Sequence, residues 1–343
     1  MDRRAFLIST ASGSAAVVAG LPARAAEPAP PRLRPDARLL TVAVDGPDHL
    51  PGHSGSLDRL ALRLAEASDG RLGAVAQPAT VGAADASLLA GDAHLAAHPA
   101  FAVFAGLPGA AALPADHFMA WLAIGGGQML WDDLAAAHGF KPLLVGHSGP
   151  RPALWLARAE APRAWSGLRV ATSGLAGRVL AALGAVPVAM PVAEVTAALA
   201  DGRIDAAEVG GALSALVLGC AGAARGVVED GLLPAGRTTV LAVGRDVWEG
   251  LSPADRALVE LVAREEAQLG LAEQAAHAGL AMSVARESGV AAVTLGAGLR
   301  AALDGTVATA VADIAAYDPA AARIAASYDA FRVAMDPAAR AAV

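Results

Sequence analysis

Cysteine, lysine and aromatic residues are all scarce in this chain of 343 residues. A single cysteine, Cys220, excludes an intrachain disulfide and any Cys-x-x-Cys metal knuckle. A single lysine, Lys141, at a net charge of -7 and without any run of basic residues, argues against a nucleic-acid binder. Charged residues make up only 17% and aromatics 4%. Beyond the N-terminus no apolar run reaches the roughly 20 residues that span a bilayer. The segment from Val209 to Ala224 comes nearest, but Arg225 ends it, and it reads as a buried helix. Walker, kinase-type and paired-carboxylate motifs are absent.

What is abundant is small apolar residues. The chain is 55% hydrophobic, much of it alanine, which excludes a disordered chain. Gly and Pro are scattered without a period, which excludes a collagen or a coiled coil. The length suffices for two domains, or one large one, with a real core.

The N-terminus reads as an export signal. Arg3-Arg4-Ala5-Phe6-Leu7 leads into a weakly apolar stretch, and Ala23-Arg24-Ala25 offers a small-x-small cleavage site. The arginine pair resembles a twin-arginine signal, which predicts a periplasmic mature protein. In that oxidising compartment a lone Cys220 thiol is expected to be buried.

Downstream, strand and helix alternate. Strands are predicted at Leu39–Val44, Leu72–Ala76, Ala93–Ala97, Lys141–Val145, Leu168–Ala171, Val186–Val188 and Ala206–Val209. Helices are predicted at Ser56–Ser68, Ala84–Ala90, Gln128–His138, Gly174–Leu183 and Val192–Ala200. A long helix opens at Ser252-Pro253, an N-cap followed by a first-turn proline, and runs to about Ser288. The alternation means an α/β protein with mostly parallel sheets.

Short motifs that suggest chemistry do not hold. Gly146-His147-Ser148-Gly149-Pro150 and Gly52-His53-Ser54-Gly55-Ser56 each lack the last glycine of a nucleophile elbow. His94 and His98 have helical metal spacing, but on a strand end they would lie about 13 Å apart, and they read as loop-lining. Gly296-Ala297-Gly298-Leu299-Arg300-Ala301 matches a dinucleotide turn. Too little chain follows it for such a domain, so it reads as a strand-to-helix turn.

Taken together, a set of ordered segments resembles the solute-binding proteins of TRAP (tripartite ATP-independent periplasmic) transporters. They are Ser166-Gly167-Leu168-Arg169, Leu183-Gly184-Ala185-Val186-Pro187-Val188, Glu194 to Leu199, and Gly202-Arg203-Ile204-Asp205-Ala206-Ala207-Glu208. Trp248 to Pro253 resembles the family's entry to its long helix, and Ser327 to Arg332 its C-terminal helix. Gly125-Gly126-Gly127 resembles the 2-oxo acid and mannitol-like branch.

The resemblance implies an α/β, type II periplasmic binding fold. Two lobes, joined by crossing strands and a long helix, would close over a small organic acid. It implies a signal at 1–25, a linker at 26–37, lobe I at 38–146 with 236–275, and lobe II at 147–235 with 276–343. It implies no catalysis, delivery of the ligand to TRAP membrane permease subunits, and room for a homodimer. Two other readings share this fold: a sensor or protein-interaction module that no longer serves transport, and an enzyme. For the enzyme, the cleft offers only Glu208 and distant histidines.

The resemblance also places the site. The family's carboxylate-forking arginine falls at Ala171, and Arg169, two residues earlier, either reaches the cleft or is an ordinary solvated residue of the motif. Arg151 falls where the branch has a polar residue near the ligand or a metal; it is a cleft cation or a loop arginine. Trp155 ends that stretch. Glu208 matches the site glutamate, Val209 replaces its aromatic neighbour, and Pro234 replaces a later metal-ligating glutamate. Ala123 and Ile124 stand where tyrosines are expected. One glutamate facing an arginine is a poor metal site, so neither metal nor cofactor is expected, and an ion pair between Glu208 and Arg151 is expected instead.

Overall fold

The computed structural model describes residues 33–44, 50–149, 154–229 and 236–335. The export signal, Arg151 and Pro234 lie outside these residues.

The chain begins with β1 (Arg38–Val44), α1 (Ser54–Ala67), β2 (Leu72–Pro78), β3 (Ala86–Ala90), α2 (Phe101–Ala105), α3 (Ala115–Ala123), α4 (Gly127–Ala136) and β4 (Phe140–His147). It then crosses to β5 (Leu154–Leu156), β6 (Arg169–Ala171), α5 (Gly174–Ala182), β7 (Val186–Val188), α6 (Val192–Ala200), β8 (Ala206–Ala207), α7 (Ala212–Val217), α8 (Cys220–Ala223) and β9 (Gly226–Val228). It returns through β10 (Thr238–Gly244) and α9 (Arg245–Glu249), and ends with α10 (Pro253–Glu287), β11 (Ala291–Val293), α11 (Ala297–Ala315) and α12 (Pro319–Met335).

The strands form two sheets, ordered β2-β1-β3-β10-β4 and β11-β9-β5-β8-β6-β7. Strands β10 and β5 are antiparallel to both their neighbours, and the remaining pairs are parallel. Both arrive from the other sheet, so the reversals mark two of the three crossings; the third, through α10, delivers β11 parallel to β9. One apolar layer packs α1 and the first half of α10 on the first sheet, around Leu60, Leu64, Leu88 and Val262. A second sets α2, α3, α4 and α12 against β4 and β10 of the first sheet, around Phe104, Trp121, Trp131 and Leu144, and runs on through α5 and α11 to one face of the second sheet at Val170. A third covers that sheet's other face, around Trp155, Leu199 and Cys220.

Local chemistry explains most elements. In α1, Leu57, Leu60 and Leu64 share the buried face, and the chain leaves through Asp69 at φ 52° and Gly70 at φ 74°. Helix α10 starts where the Ser252 hydroxyl accepts a bond from the Asp255 amide at 3.1 Å. The segment 296–301 is indeed a strand-to-helix turn, between β11 and α11.

Three predictions fail. The sequence predicts a short helix over Ala84–Ala90, but Ala86–Ala90 is strand β3, held between β1 and β10 with Ala86 and Leu88 buried. Tertiary pairing overrides alanine's helical propensity here. Ala93–Ala97 is a run of turns rather than a strand. The amide of His98 bonds the carbonyl of His94 at 3.2 Å, so the two histidines are a turn apart. The apolar 209–224 segment forms two short helices, because Gly219 at φ 81° interrupts it.

Helix α12, which the implied boundaries assign to lobe II, packs on α2, α3 and α4 of the first lobe. Trp121 Nε1 donates to Ser327 Oγ at 3.2 Å, and the Leu113 amide donates to the buried Tyr328 hydroxyl at 2.9 Å. Tyr328→Phe strands that amide and is expected to cost about 1–3 kcal/mol in urea unfolding. A cost near zero would mean that water or another acceptor reaches Leu113.

Candidate interlobe binding site

Five loop segments meet where the sheets face each other. Asp92 follows β3, Ser148 follows β4, Thr172 and Ser173 follow β6, Glu208 follows β8, and Arg237 precedes β10. Ligands of α/β proteins sit in crevices at such strand ends, and preferably between domains.

Arg237 is the hub. Its backbone is fixed by Ser148: the Ser148 amide donates to the Arg237 carbonyl at 2.9 Å, and the Arg237 amide donates to Ser148 Oγ at 2.8 Å. Gly236 makes this seat, since a Cβ there would stand 2.1 Å from the His147 ring and 2.8 Å from the Gly149 carbonyl. The Arg237 Nη2 donates to Asp92 Oδ2 at 3.0 Å and to Ser173 Oγ at 2.5 Å, while Ser173 Oγ donates to Asp92 Oδ2 at 2.8 Å. Asp92 and Arg237 flank strands of the first sheet and Ser173 follows one of the second, so this triangle bridges the two sheets.

Glu208, 7% exposed, takes a bond from Thr172 Oγ1 at 2.6 Å, and its amide donates to the Ala171 carbonyl at 2.8 Å. Burial opposes the charge of Arg237, but Asp92 and Glu208 more than offset it, and its pKa stands above the usual arginine value.

Of the residues singled out from sequence, Ala171, Glu208, Val209 and Trp155 do come together. Ala171, Val209 and Trp155 are walls of the second lobe's apolar core, at 3%, 1% and 1% exposure. The Trp155 indole nitrogen is buried and has no partner among the described residues.

Arg169 does not join them. It stands at the other end of β6, where its backbone N–H, Nε and Nη2 donate to Asp205 and Nη2 also donates to the Gly202 carbonyl. The Asp205 bond holds the Arg169 pKa up and the Asp205 pKa down. This arginine clamps the turn before β8; it is not a cleft cation. Glu208 is faced by the positive charge of Arg237. The expected pair with Arg151 falls outside the described residues. Ala123 and Ile124 are not cleft walls either. Ile124 is 88% exposed, and Ala123 lines a separate cavity of about 700 Å³ between α3, α4, β4 and α10.

Sequence reading missed Asp92, Thr172, Ser173 and Arg237. Asp92 was masked by the wrong helix over 84–90, since only a strand there makes it a strand-end residue. Arg237 carried one legible signal: it directly precedes a strand.

Among the described residues no three His, Cys, Asp or Glu side chains are grouped to hold a metal ion. A guanidinium stands beside the two cleft carboxylates, and hard cations need several oxygens. The donor set present does not fit a metal.

The model of the bacterial extracellular solute-binding protein family 7 matches residues 127–318, more than half of the chain. The chain belongs to that family. Solved TRAP solute-binding proteins share its fold. A TRAP transporter solute-binding protein from Bordetella bronchiseptica, with copurified calcium and picolinate, is 22% identical with a TM-score of 0.79, covering 86% of this chain and 91% of its own. One from Colwellia psychrerythraea, with bound calcium and pyruvate, is 20% identical with a TM-score of 0.77, covering 86% and 94%. One from Rhodoferax ferrireducens, with bound malonate, is 16% identical with a TM-score of 0.69, covering 86% and 98%. A family 7 protein is an extracellular binding component, and no described helix here is long and apolar enough to cross a membrane. The buried Cys220 fits this setting, since burial pushes its thiol up to about 11 and so suppresses the reactive thiolate.

Proposed function

We propose that this family 7 protein captures a small organic acid between its lobes and delivers it to the membrane permease of a TRAP-type transporter. Export by the twin-arginine-like signal would place it in the periplasm. The observation that carries the reading is the charged triangle of Arg237, Asp92 and Ser173. It joins the two lobes at the strand ends beside Glu208, where a carboxylate would be enclosed on closure. Picolinate, pyruvate and malonate, the ligands of the three relatives, are all small carboxylates, which supports the same class here. The histidines have structural partners: His94 stacks on Phe140, His98 bonds Asp318, and His147 accepts the Gly149 amide at 3.1 Å beside the seat of Arg237.

A thermal-shift screen of pyruvate, lactate, pyroglutamate, picolinate and malonate tests the reading. A binder at about 100 times its Kd is expected to stabilise the protein by about 2.7 kcal/mol. A flat response across the panel would overturn small-acid capture.

A further inference from the structure

We infer that Arg237 is the carboxylate anchor of this cleft, so that the ligand's acid group is held by a guanidinium from the first lobe and without a metal ion. The inference rests on the small-acid reading above and names the group that executes it.

The resemblance places the anchoring arginine at residue 171, on the second lobe. Here that residue is alanine, packed into an apolar core at 3% exposure, so no anchor can come from that strand position. Arg169 is committed to Asp205 and Gly202. Arg178 reaches only the Leu95 carbonyl, at 3.4 Å. Arg237 lies one hydrogen bond from Ser173, two residues beyond Ala171, and therefore brings a guanidinium to the same end of β6 from the opposite side.

The guanidinium is only partly engaged. Its Nη2 serves both Asp92 and Ser173, while Nε and Nη1 donate to no partner among the described residues. Unengaged N–H donors on a guanidinium whose side chain is 30% exposed are what an incoming carboxylate needs. Asp92 and the Ser148 backbone bonds hold the side chain in place before the ligand arrives, which lowers the entropy lost on binding.

The surroundings also select. Asp92 and Glu208 both stand close enough to Arg237 to raise its pKa. The donors that Asp92 and Ser173 leave on Arg237 can fork onto one carboxylate, and the two acids beside it repel a second. The ligand class is a monocarboxylic acid, with pyruvate and lactate as the simplest probes and malonate as the dicarboxylate contrast.

Calorimetric titration of the wild-type mature protein and of Arg237→Ala with each probe, with and without EDTA, tests this. The expected result is binding of a monocarboxylate that EDTA leaves unchanged. Its Kd should rise at least about 100-fold in Arg237→Ala, as loss of one partner of a charged hydrogen bond does. Arg237→Gln keeps a donor for Ser173 without the charge, and serves if the alanine variant fails to fold; it should lose binding to a similar extent. Wild-type binding that survives in both folded variants, that needs calcium after EDTA, or that favours malonate would overturn the anchor while leaving small-acid capture intact. A wild-type protein that binds no probe would remove both.

Discussion

Arg59→Ala is expected to lose about 3–5 kcal/mol of stability near neutral pH, the cost of leaving a buried carboxylate without its partner. That carboxylate is Glu266, on α10 and 2% exposed. Arg59, on α1, donates to it through Nε at 3.1 Å and Nη2 at 2.7 Å, and its Nη1 pairs with Glu273 at 3.2 Å. Arg59 is itself 30% exposed, so water compensates in part and the lower end of the range is expected. The pH dependence follows from the Glu266 carboxyl. Burial lifts its pKa above the usual carboxylate value even against the opposing pull of Arg59. A carboxyl with a raised folded-state pKa binds more protons folded than unfolded, so stability falls as pH rises through the window between the two values. Without Arg59 that window widens upward, and the variant should recover part of its deficit when acidified toward the ordinary carboxylate range. Urea unfolding at pH 7 and pH 4.5 measures both effects. A loss below about 1 kcal/mol at neutral pH, or one that does not shrink in acid, would mean that water hydrates Glu266.

Gly174→Ala should hold the lobes apart. Gly174 sits at φ +64°, and a Cβ there would lie 2.3 Å from Asp92 Oδ2, across the cleft. The left-handed backbone strains the open and closed forms alike, but the clash exists only in the closed one. Overpacking of this kind costs typically 1–3 kcal/mol. At about 2 kcal/mol the closed-to-open ratio drops about 30-fold, and the apparent Kd rises by up to that factor. Small-angle scattering should record a larger radius for the variant with ligand absent. An unchanged radius and an unchanged Kd would show that Asp92 moves aside and that the triangle does not set closure.

Much of the fold was legible because leucine and valine keep their period through it. The helix at 54–67 and the strand at 140–147 carry large apolar side chains on one face, and the ends at Asp69-Gly70 and Ser252-Pro253 are punctuated by turn and cap chemistry. Legibility failed where alanine dominates. Ala86–Ala90 became a strand only because β1 and β10 flank it, and no local property of alanine announces that. The site was legible in half. Ala171 ends one motif strand and Glu208 follows another, and sequence order alone brings them to one end of a sheet. Arg237 and Asp92 are 145 residues apart, and only the return crossing from the second lobe brings them into contact. Arg169 misled for the converse reason. It shares a strand face with Ala171, but the cleft lies at only one end of that strand.

Helix α10 has 35 residues and so a length of about 52 Å. Its first half is clamped against α1 and β4, its second against α7 and α8, one pair in each lobe. Its only proline is at the first turn, and the interior carries no break. A beam fixed at both ends cannot hinge freely, so parting the lobes must bend it, most readily around Gly270 and Gly279. One unbroken helix thus ties the two sheets together, so that any parting of the lobes is a bending of α10 and not a free hinge.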